Sequence, residues 1–387
     1  MTERLDGEEL ARLVDRVFAP RPEDTAVGVL VDLPDPELAD TPEWAARREM
    51  AADWVREMRR VPPGAGLPCH LVLYRNARRN NADLPGHAWI RDPEEPLPAT
   101  AQDLDPAGAV PFPEVLGSHS ILLAPTELSA TAPLKLAAPR HGFRAATMPG
   151  FSAGMIPALR LDYVEINRRV RHLADLLDRA VGAHLEFAVE DGSRHRLHLD
   201  LRHRTAHASG GVLHEPGTAG NLPSGEAYIV PYEGELPSDP SRSEGLLPVE
   251  LDGEVVVYRV RANRAVAVET AGAVSRREAE LLAAEPAYGN LAELGLGVLG
   301  DFGIEPTGRV LLDEKLGLHI AFGRSDHFGG RVGAADFSTP GAVTHQDRVY
   351  IPALQPRVTV SLADLEMEDG DRVPLLRGGA WVVDFPA

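Results

Sequence analysis

Cysteine is almost absent from this chain, which has 387 residues and a single thiol, Cys69. One cysteine excludes an internal disulfide and a cysteine-rich zinc site. A metal ion would have to be bound by histidine, aspartate and glutamate. Nitrogen and oxygen side chains are therefore the expected ligands.

Basic residues are also scarce, and lysine is the scarcest of them. Lys+Arg total 39 against 58 Asp+Glu, which gives a net charge of −19, and the only lysines are Lys135 and Lys315. No run of basic residues occurs, so the chain lacks the charge that attracts nucleic acid or an anionic membrane surface. Neither is expected as a partner.

Long apolar runs are missing as well. No stretch approaches the roughly 20 apolar residues that a membrane-spanning helix needs. The first residues, MTERLDGEELARLVDRV, have the pattern of an acidic amphipathic helix and not that of a signal peptide. These features predict a cytoplasmic protein.

The remaining composition is that of a globular protein, with 44% hydrophobic residues and enough length for two domains. In the first part, helical apolar spacing alternates with short apolar runs, which predicts an α/β domain. We predict helices over 8–18 and 42–60, strands over 26–33, 69–74 and 120–124, and a proline-rich loop over 92–113. This N-terminal domain is placed at residues 1–154.

The rest of the chain, residues 155–387, changes character. A long helix is predicted over 156–180, followed by paired short strands around the turns Asp191-Gly192 and Asp252-Gly253, with one further helix near 276–284. The prediction is an α+β, strand-rich C-terminal domain, which is also where we expect a metal site.

Two His-x-Asp patterns are candidates for metal ligands. Side chains alternate along a strand, so His345 and Asp347 project from the same face. The other pattern, His198 and Asp200, lies among alternating leucines that predict a core-facing side. Those two residues are therefore interpreted as part of a solvated, charged strand face.

His345 and Asp347 are preceded by three motifs that place carboxylates or histidine among glycines. These are 221–226 (NLPSGE), 291–297 (LAELGLG) and 313–323 (DEKLGLHIAFG). In this order the motifs resemble those of the thermophilic metallo-aminopeptidase family, the aminopeptidase T-like leucyl aminopeptidases. The resemblance extends over residues 144–387.

The resemblance implies a catalytic centre with two divalent metal ions, Zn, Co or Mn. Its ligands would be Glu226, Glu293, His319, His345 and Asp347. The implied activity is hydrolysis of N-terminal residues from short peptides, or of a peptide-like amide, by a water that bridges the metals. The resemblance also implies a homodimer.

Lys315 precedes one of these ligands in a chain with very little lysine. We interpret it as an ion-pair partner that orients a ligand carboxylate, as groups behind metal ligands often do. The alternative is an ordinary turn cation beside Gly317.

The chain departs from the family pattern after His319. The resemblance implies a tyrosine seven residues after His319, as in the family's peptidases. This chain has Asp326 at that position, followed by His327. Either residue is a candidate for a ligand or catalytic role, or for capping the turn before Phe328. Gln346 also replaces a family aromatic, so the substrate class is less defined than metal binding.

Two other functions stay open. The same superfamily includes a mononuclear Fe(II) 2,5-dihydroxypyridine dioxygenase, for which His319, His345 and Asp347 would form the ligand triad. Another biosynthetic small-molecule enzyme on this fold is a further alternative. A metal-free binding protein is disfavoured, because buried carboxylates without partners are costly.

Overall fold

The computed structural model describes residues 3–64 and 66–385. They form two compact units, the first comprising residues up to 167 together with 211–224, and the second comprising 168–210 and 225 onward. The domain boundary between residues 154 and 155 stays a prediction. Within the described residues, no helix has both the length and the apolar content of a membrane span.

The α-helices are distributed along the whole chain. They are α1 (Gly7–Phe18), α2 (Pro42–Arg60), α3 (Phe112–Ser118), α4 (Thr131–His141), α5 (Ile156–Leu159), α6 (Tyr163–Arg179), α7 (Ala273–Ala284) and α8 (Val310–Asp313).

The strands outnumber the helices and are short. They are β1 (Val27–Leu33), β2 (Cys69–Arg75), β3 (His87–Arg91), β4 (Val110–Pro111), β5 (Ile121–Ala124), β6 (Arg144–Thr147), β7 (Ala180–Val189), β8 (Arg194–Asp200), β9 (His207–Ser209), β10 (Ala219–Asn221), β11 (Glu226–Ile229), β12 (Glu244–Leu251), β13 (Glu254–Arg261), β14 (Arg264–Val268), β15 (Leu291–Gly297), β16 (Leu318–Gly323), β17 (His345–Val349), β18 (Val358–Met367), β19 (Arg372–Arg377) and β20 (Ala380–Trp381).

The first unit is built on a seven-stranded sheet in the order β10-β6-β5-β1-β2-β3-β4. Strands β10, β6, β5, β1 and β2 pair in parallel, and β3 and β4 continue the sheet antiparallel. Every residue of β1 is buried, as expected for a parallel strand covered on both faces. This unit has the alternating helix and strand content that its sequence predicts.

The second unit contains two antiparallel sheets. One has eight strands in the order β14-β13-β12-β8-β7-β18-β19-β20, and the other has five in the order β17-β16-β15-β11-β9. The sheets meet through aromatic side chains, since the ring of Tyr258 on β13 lies 5.1 Å from that of Phe322 on β16. Side chains alternate along β16, so Phe322 and His319 belong to opposite faces. The five-stranded sheet therefore packs one face against its neighbour and carries His319 on the other.

Mixed α and β content with strand-rich sheets is thus confirmed, but two segments differ from prediction. The helix predicted over 156–180 is two helices, α5 and α6, because Asp162 accepts a hydrogen bond from the Val164 backbone N–H at 3.0 Å and starts a new helix. The predicted loop over 92–113 contains β4 and the start of α3. Proline is accommodated there at a sheet edge and in a first helical turn.

Candidate metal centre

The five-stranded sheet brings all five predicted ligands together. Glu226 comes from β11, Glu293 from β15, His319 from β16, and both His345 and Asp347 from β17. These four strands are consecutive in the sheet, in the order β17-β16-β15-β11. Residues scattered over 122 positions of sequence therefore share one face.

Each of these residues is paired across the sheet with a residue that has little or no side chain. Glu226 is opposite Gly297, Glu293 is opposite Ala321, and His319 is opposite Gly295. On the next strand, His345 is opposite Gly323 and Asp347 is opposite Ala321. The small residues leave room on this face for the ligand side chains to converge.

Two glycines of the LAELGLG motif are required by close packing. A Cβ atom at Gly295 would lie 2.0 Å from Nε2 of His319, so the imidazole occupies the space of the missing side chain. A Cβ at Gly297 would lie 2.3 Å from the backbone carbonyl carbon of Lys315. The motif thus provides one carboxylate, the space for the His319 imidazole and the space for the backbone of Lys315.

Glu293 is shared between the two histidines. Its Oε1 lies 3.3 Å from Nε2 of His319, and its Oε2 lies 3.3 Å from Nε2 of His345. Glu226 Oε2 is 3.7 Å from the same nitrogen of His319, and Asp347 Oδ1 is 3.4 Å from that of His345. Two triads result, Glu226–Glu293–His319 and Glu293–His345–Asp347, with Glu293 in both.

Both histidines are held in the orientation that metal ligation requires. Nδ1 of His345 donates to the backbone carbonyl of Arg324 at 2.7 Å, and Nδ1 of His319 lies 3.3 Å from the carbonyl of Gly317. A carbonyl can only accept, so in the neutral rings Nε2 carries the lone pair that faces the carboxylates. Metal-bound histidines usually have such an anchored second nitrogen.

The cluster is buried and short of hydrogen bonds. Glu226 is 5% exposed, Glu293 4% and His319 0%. Within the described residues, Oε2 of Glu226 and Oδ1 of Asp347 are buried without a hydrogen-bond partner. Buried carboxylate oxygens without donors are costly. Three carboxylates and two imidazoles suit Zn²⁺, Co²⁺ or Mn²⁺, so the residues present fit a metal centre.

Electrostatics within the cluster are strongly coupled. Burial alone would lower the pKa of His319, but the neighbouring Glu293, Asp347 and Glu226 raise it to about 9. Burial would likewise raise the pKa of Glu293, but the two histidines lower it well below its usual value. Without a metal, the acidic side chains thus attract protons onto the imidazoles; a bound cation takes the place of those protons.

Lys315 lies directly behind the cluster. It is 1% exposed, and its Nζ donates to Oε1 of Glu226 at 2.5 Å and to a carboxylate oxygen of Glu314. Burial opposes the charge on the amine, but both carboxylates raise the pKa of Lys315 above its usual value. The lysine therefore has a carboxylate of the centre as its ion-pair partner, and it is not a solvated turn cation.

Asp326 and His327 lie beside the cluster in different surroundings. Asp326 is tied to Arg324, with Oδ1 2.5 Å from its Nε, and belongs to neither triad. The ring of His327 lies 5.4 Å from that of His345, and burial together with the charge of His345 lowers the pKa of His327 to about 4. Their ligand or catalytic roles stay predictions.

Two residues at the centre were not singled out from the sequence. The side chain of Glu314 is 16% exposed. Burial and the charge of Glu226 raise the pKa of Glu314 to about 8, although the charge of Lys315 acts to lower it. Its signal was its place in the DEK motif. Tyr228 follows Glu226 on the same strand face, and burial and the charges of Glu293 and Glu226 raise its pKa. The one sequence signal for Tyr228 is its spacing of two residues from Glu226 along a strand.

An open cavity of about 230 Å³ has Asp347 of the cluster in its lining. Its lining includes the carboxylates of Glu314 and Asp347 and the apolar side chains of Val249, Val310 and Leu354. Larger cavities of about 680 and 1060 Å³ in the same unit contain none of the five predicted ligands. Of these three cavities, the smallest is the one with a predicted ligand, Asp347, in its lining.

Comparison with known proteins agrees with the motifs. No protein-family model matches the chain. Aminopeptidase T from Thermus aquaticus is 32% identical over 176 residues, which are 42% of this chain and 40% of that protein's length. The solved wild-type AmpT from Thermus thermophilus has a TM-score of 0.50 at 20% identity, covering 97% of this chain and 99% of that one. The predicted resemblance to the aminopeptidase T family is confirmed.

A second solved structure has a similar fold. The 2,5-dihydroxypyridine dioxygenase from Pseudomonas putida KT2440 has a TM-score of 0.59 at 13% identity, covering 98% of this chain and 99% of that chain. At such low identity the likeness shows the fold alone. Over the matched 176 residues the sequence resembles that of aminopeptidase T, and the fold is also similar to that of the dioxygenase.

Proposed function

We propose that this protein is a metal-dependent aminopeptidase with a dinuclear centre, acting on short peptides or on a small peptide-like amide. The observation that carries the proposal is the position of Glu293, which presents one carboxylate oxygen to each histidine. A carboxylate shared by two ligand triads is what a pair of metal ions about 3.5–4 Å apart requires. The proposed ligands are Glu226, Glu293 and His319 for one ion and Glu293, His345 and Asp347 for the other.

The bound ions would supply an activated water and polarise the scissile carbonyl. The protein's own residues fix the arrangement. The backbone carbonyls of Arg324 and Gly317 orient the two imidazoles, and Lys315 neutralises part of the charge on Glu226. Because these groups are buried and held by neighbours, little reorganisation is needed when substrate binds.

The cavity that includes Asp347 in its lining suits a small substrate. Its volume of about 230 Å³ is enough for one side chain and the adjoining peptide bond, and Val249, Val310 and Leu354 supply apolar lining. Glu314 and Arg348 supply polar groups of opposite kinds.

A second candidate is a mononuclear Fe(II) ring-cleaving dioxygenase of the dihydroxypyridine type. It is favoured by the fold likeness, with a TM-score of 0.59, and by the triad His319, His345 and Asp347, whose carboxylate Oδ1 lies 4.0 and 3.4 Å from the two Nε2 atoms. That chemistry gives no role to Glu226 and Glu293, which are 5% and 4% exposed. The aminopeptidase uses all five residues.

The test is reconstitution of chelator-treated protein with Zn²⁺, Co²⁺, Mn²⁺ or, anaerobically, Fe²⁺. We expect Zn²⁺, Co²⁺ or Mn²⁺ to restore hydrolysis of a leucine dipeptide but not of its N-acetylated form. Glu293→Gln should abolish this activity, and the exposed Glu280→Gln should retain it. Oxygen consumption with 2,5-dihydroxypyridine only in the Fe²⁺ sample, without peptide hydrolysis in any sample, would overturn the proposal.

A further inference from the structure

Three neighbouring strands of the eight-stranded sheet carry a second group of metal-ligand side chains. His198 on β8 is directly paired with His184 on β7, and Glu366 on β18 is paired with Gly182 on β7. The two imidazole rings are 4.7 Å apart. This group shares no residue with the cluster around Glu293 and lies on a different sheet.

The ligand atoms of these three side chains converge. Nε2 of His184 lies 2.5 Å from Oε2 of Glu366, and Nε2 of His198 lies 3.8 Å from the same oxygen. One ligand atom from each residue falls within 4.8 Å of the others. The side chains are 27%, 25% and 37% exposed, so they are accessible to an ion from solvent.

The orientation of His198 is fixed by the backbone. Its Nδ1 donates to the carbonyl of Arg242 at 3.1 Å, so in the neutral ring Nε2 carries a lone pair directed toward Glu366. A lone pair and a carboxylate oxygen that face each other repel unless a cation or a proton lies between them. The same anchoring of the second nitrogen is typical of metal-bound histidine.

Gly182 provides the space in which the group converges. A Cβ at this position would lie 2.7 Å from Nε2 of His198 and 3.5 Å from Oε2 of Glu366. Any larger residue at the centre of the three strands would therefore displace the imidazole.

We propose that His184, His198 and Glu366 form a second metal site, for a divalent transition ion such as Zn²⁺. Two imidazoles and one carboxylate are a ligand set that Zn²⁺ accepts, whereas Mg²⁺ and Ca²⁺ prefer oxygen alone. Three protein ligands leave at least one position for water or another small ligand.

The open position has a defined environment. His184 and His198 line a cavity of about 680 Å³, whose lining also includes the charged residues Glu186, Arg196, Glu244, Arg259, Arg261 and Arg372. The open position therefore faces a polar cavity with room for water or another small ligand. The ion would also connect β7, β8 and β18, because its ligands come from all three strands, and it would therefore stabilise the sheet.

The test is the zinc content of intact protein equilibrated with Zn²⁺ and passed through gel filtration, measured by inductively coupled plasma mass spectrometry. We expect His198→Ala to hold about one Zn²⁺ per chain fewer than wild type. His195→Ala is the matched control, since His195 lies on the same strand with its side chain on the opposite face, and it should hold the wild-type amount.

A second readout keeps the test independent of the effect of one variant on folding. Zn²⁺ should raise the Tm of His195→Ala more than that of His198→Ala or Glu366→Gln, with all three compared by circular dichroism first. Equal zinc content and equal Tm shifts in wild type, His198→Ala and Glu366→Gln would overturn the proposal.

Discussion

Glu293 differs from Glu226 in that its ion-pair partners, within the described residues, are only the two histidines. Lys315 compensates Glu226, whereas the two oxygens of Glu293 face only the imidazoles of His319 and His345. Because Glu293 is 4% exposed, its negative charge needs a positive charge nearby, which is either a proton on an imidazole or a bound cation. It is the residue whose replacement should affect metal binding most.

The first prediction concerns Gly295, whose missing side chain leaves room for His319. Gly295→Ala places a methyl group 2.0 Å from the present Nε2 position, so the imidazole has to move. We expect loss of metal binding and activity, with a decrease in the free energy of unfolding of about 1–3 kcal/mol, as for other overpacked sites. Metal analysis and urea unfolding of the variant measure the two effects.

Gly341→Ala is the control for this substitution, because the nearest atom to a Cβ there is 4.0 Å away, in ordinary contact. It should bind metal like wild type. If Gly295→Ala also binds metal at the wild-type level, the position of His319 does not depend on this glycine.

The sequence predicted which residues converge better than it predicted their surroundings. His345 and Asp347 share a face because strand side chains alternate, which a local pattern can show. The prediction that Asp200 lies on a solvated face is wrong, because Asp200 is 1% exposed and accepts a hydrogen bond from Arg202. The convergence of His184, His198 and Glu366 needed the pairing of β18 with β7, a register that no local pattern contains.

At the level of elements, the segment 324–331 beside the cluster is held by one buried side chain. Glu233 accepts hydrogen bonds from Ser325 Oγ at 2.6 Å and from the Arg331 backbone N–H at 2.5 Å. It also accepts from Asn290 at 2.8 Å, and its side chain is 5% exposed. The position of Asp326 and His327 therefore depends on a residue outside their own segment.

The second prediction tests this attachment with Glu233→Gln. An amide in place of the carboxylate presents a donor where donors already point, so at least one of the hydrogen bonds is lost, at a cost of about 1–3 kcal/mol. Amide hydrogen exchange should become faster in residues 324–331 and stay unchanged in β15 and β16. Glu235→Gln is the control, because Glu235 shares the partner Arg204 but is 22% exposed.

Exchange that is equally fast in the two variants would show that Glu233 does not hold this segment.

Predicted helices and strands match the structure where a local signal, such as a capping residue, marks their ends. Helix α2 begins at Pro42 because Thr41 accepts a hydrogen bond from the Trp44 N–H and proline suits a first helical turn. The break between α5 and α6 was missed because apolar spacing continues across it, and a single capping aspartate is a weaker signal than that periodicity. Sheet order was not predictable, since it depends on contacts between distant segments.

For the molecule as a whole, stability at acid pH should depend on the ion pair of Asp24 with Arg144. The guanidinium Nη2 lies 2.5 and 2.6 Å from the two carboxylate oxygens, and the two side chains are 6% and 1% exposed. Burial would raise the pKa of Asp24, but hydrogen bonds from the Arg21 backbone N–H and from Arg144 lower it below 3.8. The stabilisation is thus fully present above about pH 4 and is lost as pH falls through the folded pKa.

The third prediction follows from this loss of stabilisation at low pH. Asp24→Asn should lower the free energy of unfolding by about 3–5 kcal/mol at pH 7, because it leaves Arg144 buried without its partner. The difference from wild type should shrink below about pH 4. Urea unfolding at pH 7 and pH 3 measures it, with Asp53→Asn as a control, since the pair of Asp53 with Arg56 is more exposed, at 42% and 23%, and should contribute less than about 1 kcal/mol.

A loss that is the same at both pH values would contradict the role given to the charge of Asp24.

The most direct measurement of the central claim is the metal content of the centre, determined in the His198→Ala chain so that the proposed second site does not contribute. Protein purified anaerobically and without chelators is analysed by inductively coupled plasma mass spectrometry, with and without the further substitution Glu293→Gln. The account predicts about two Zn, Co or Mn per chain and the loss of at least one of them with Glu293→Gln. One Fe per chain, or two metals retained after Glu293→Gln, would contradict it.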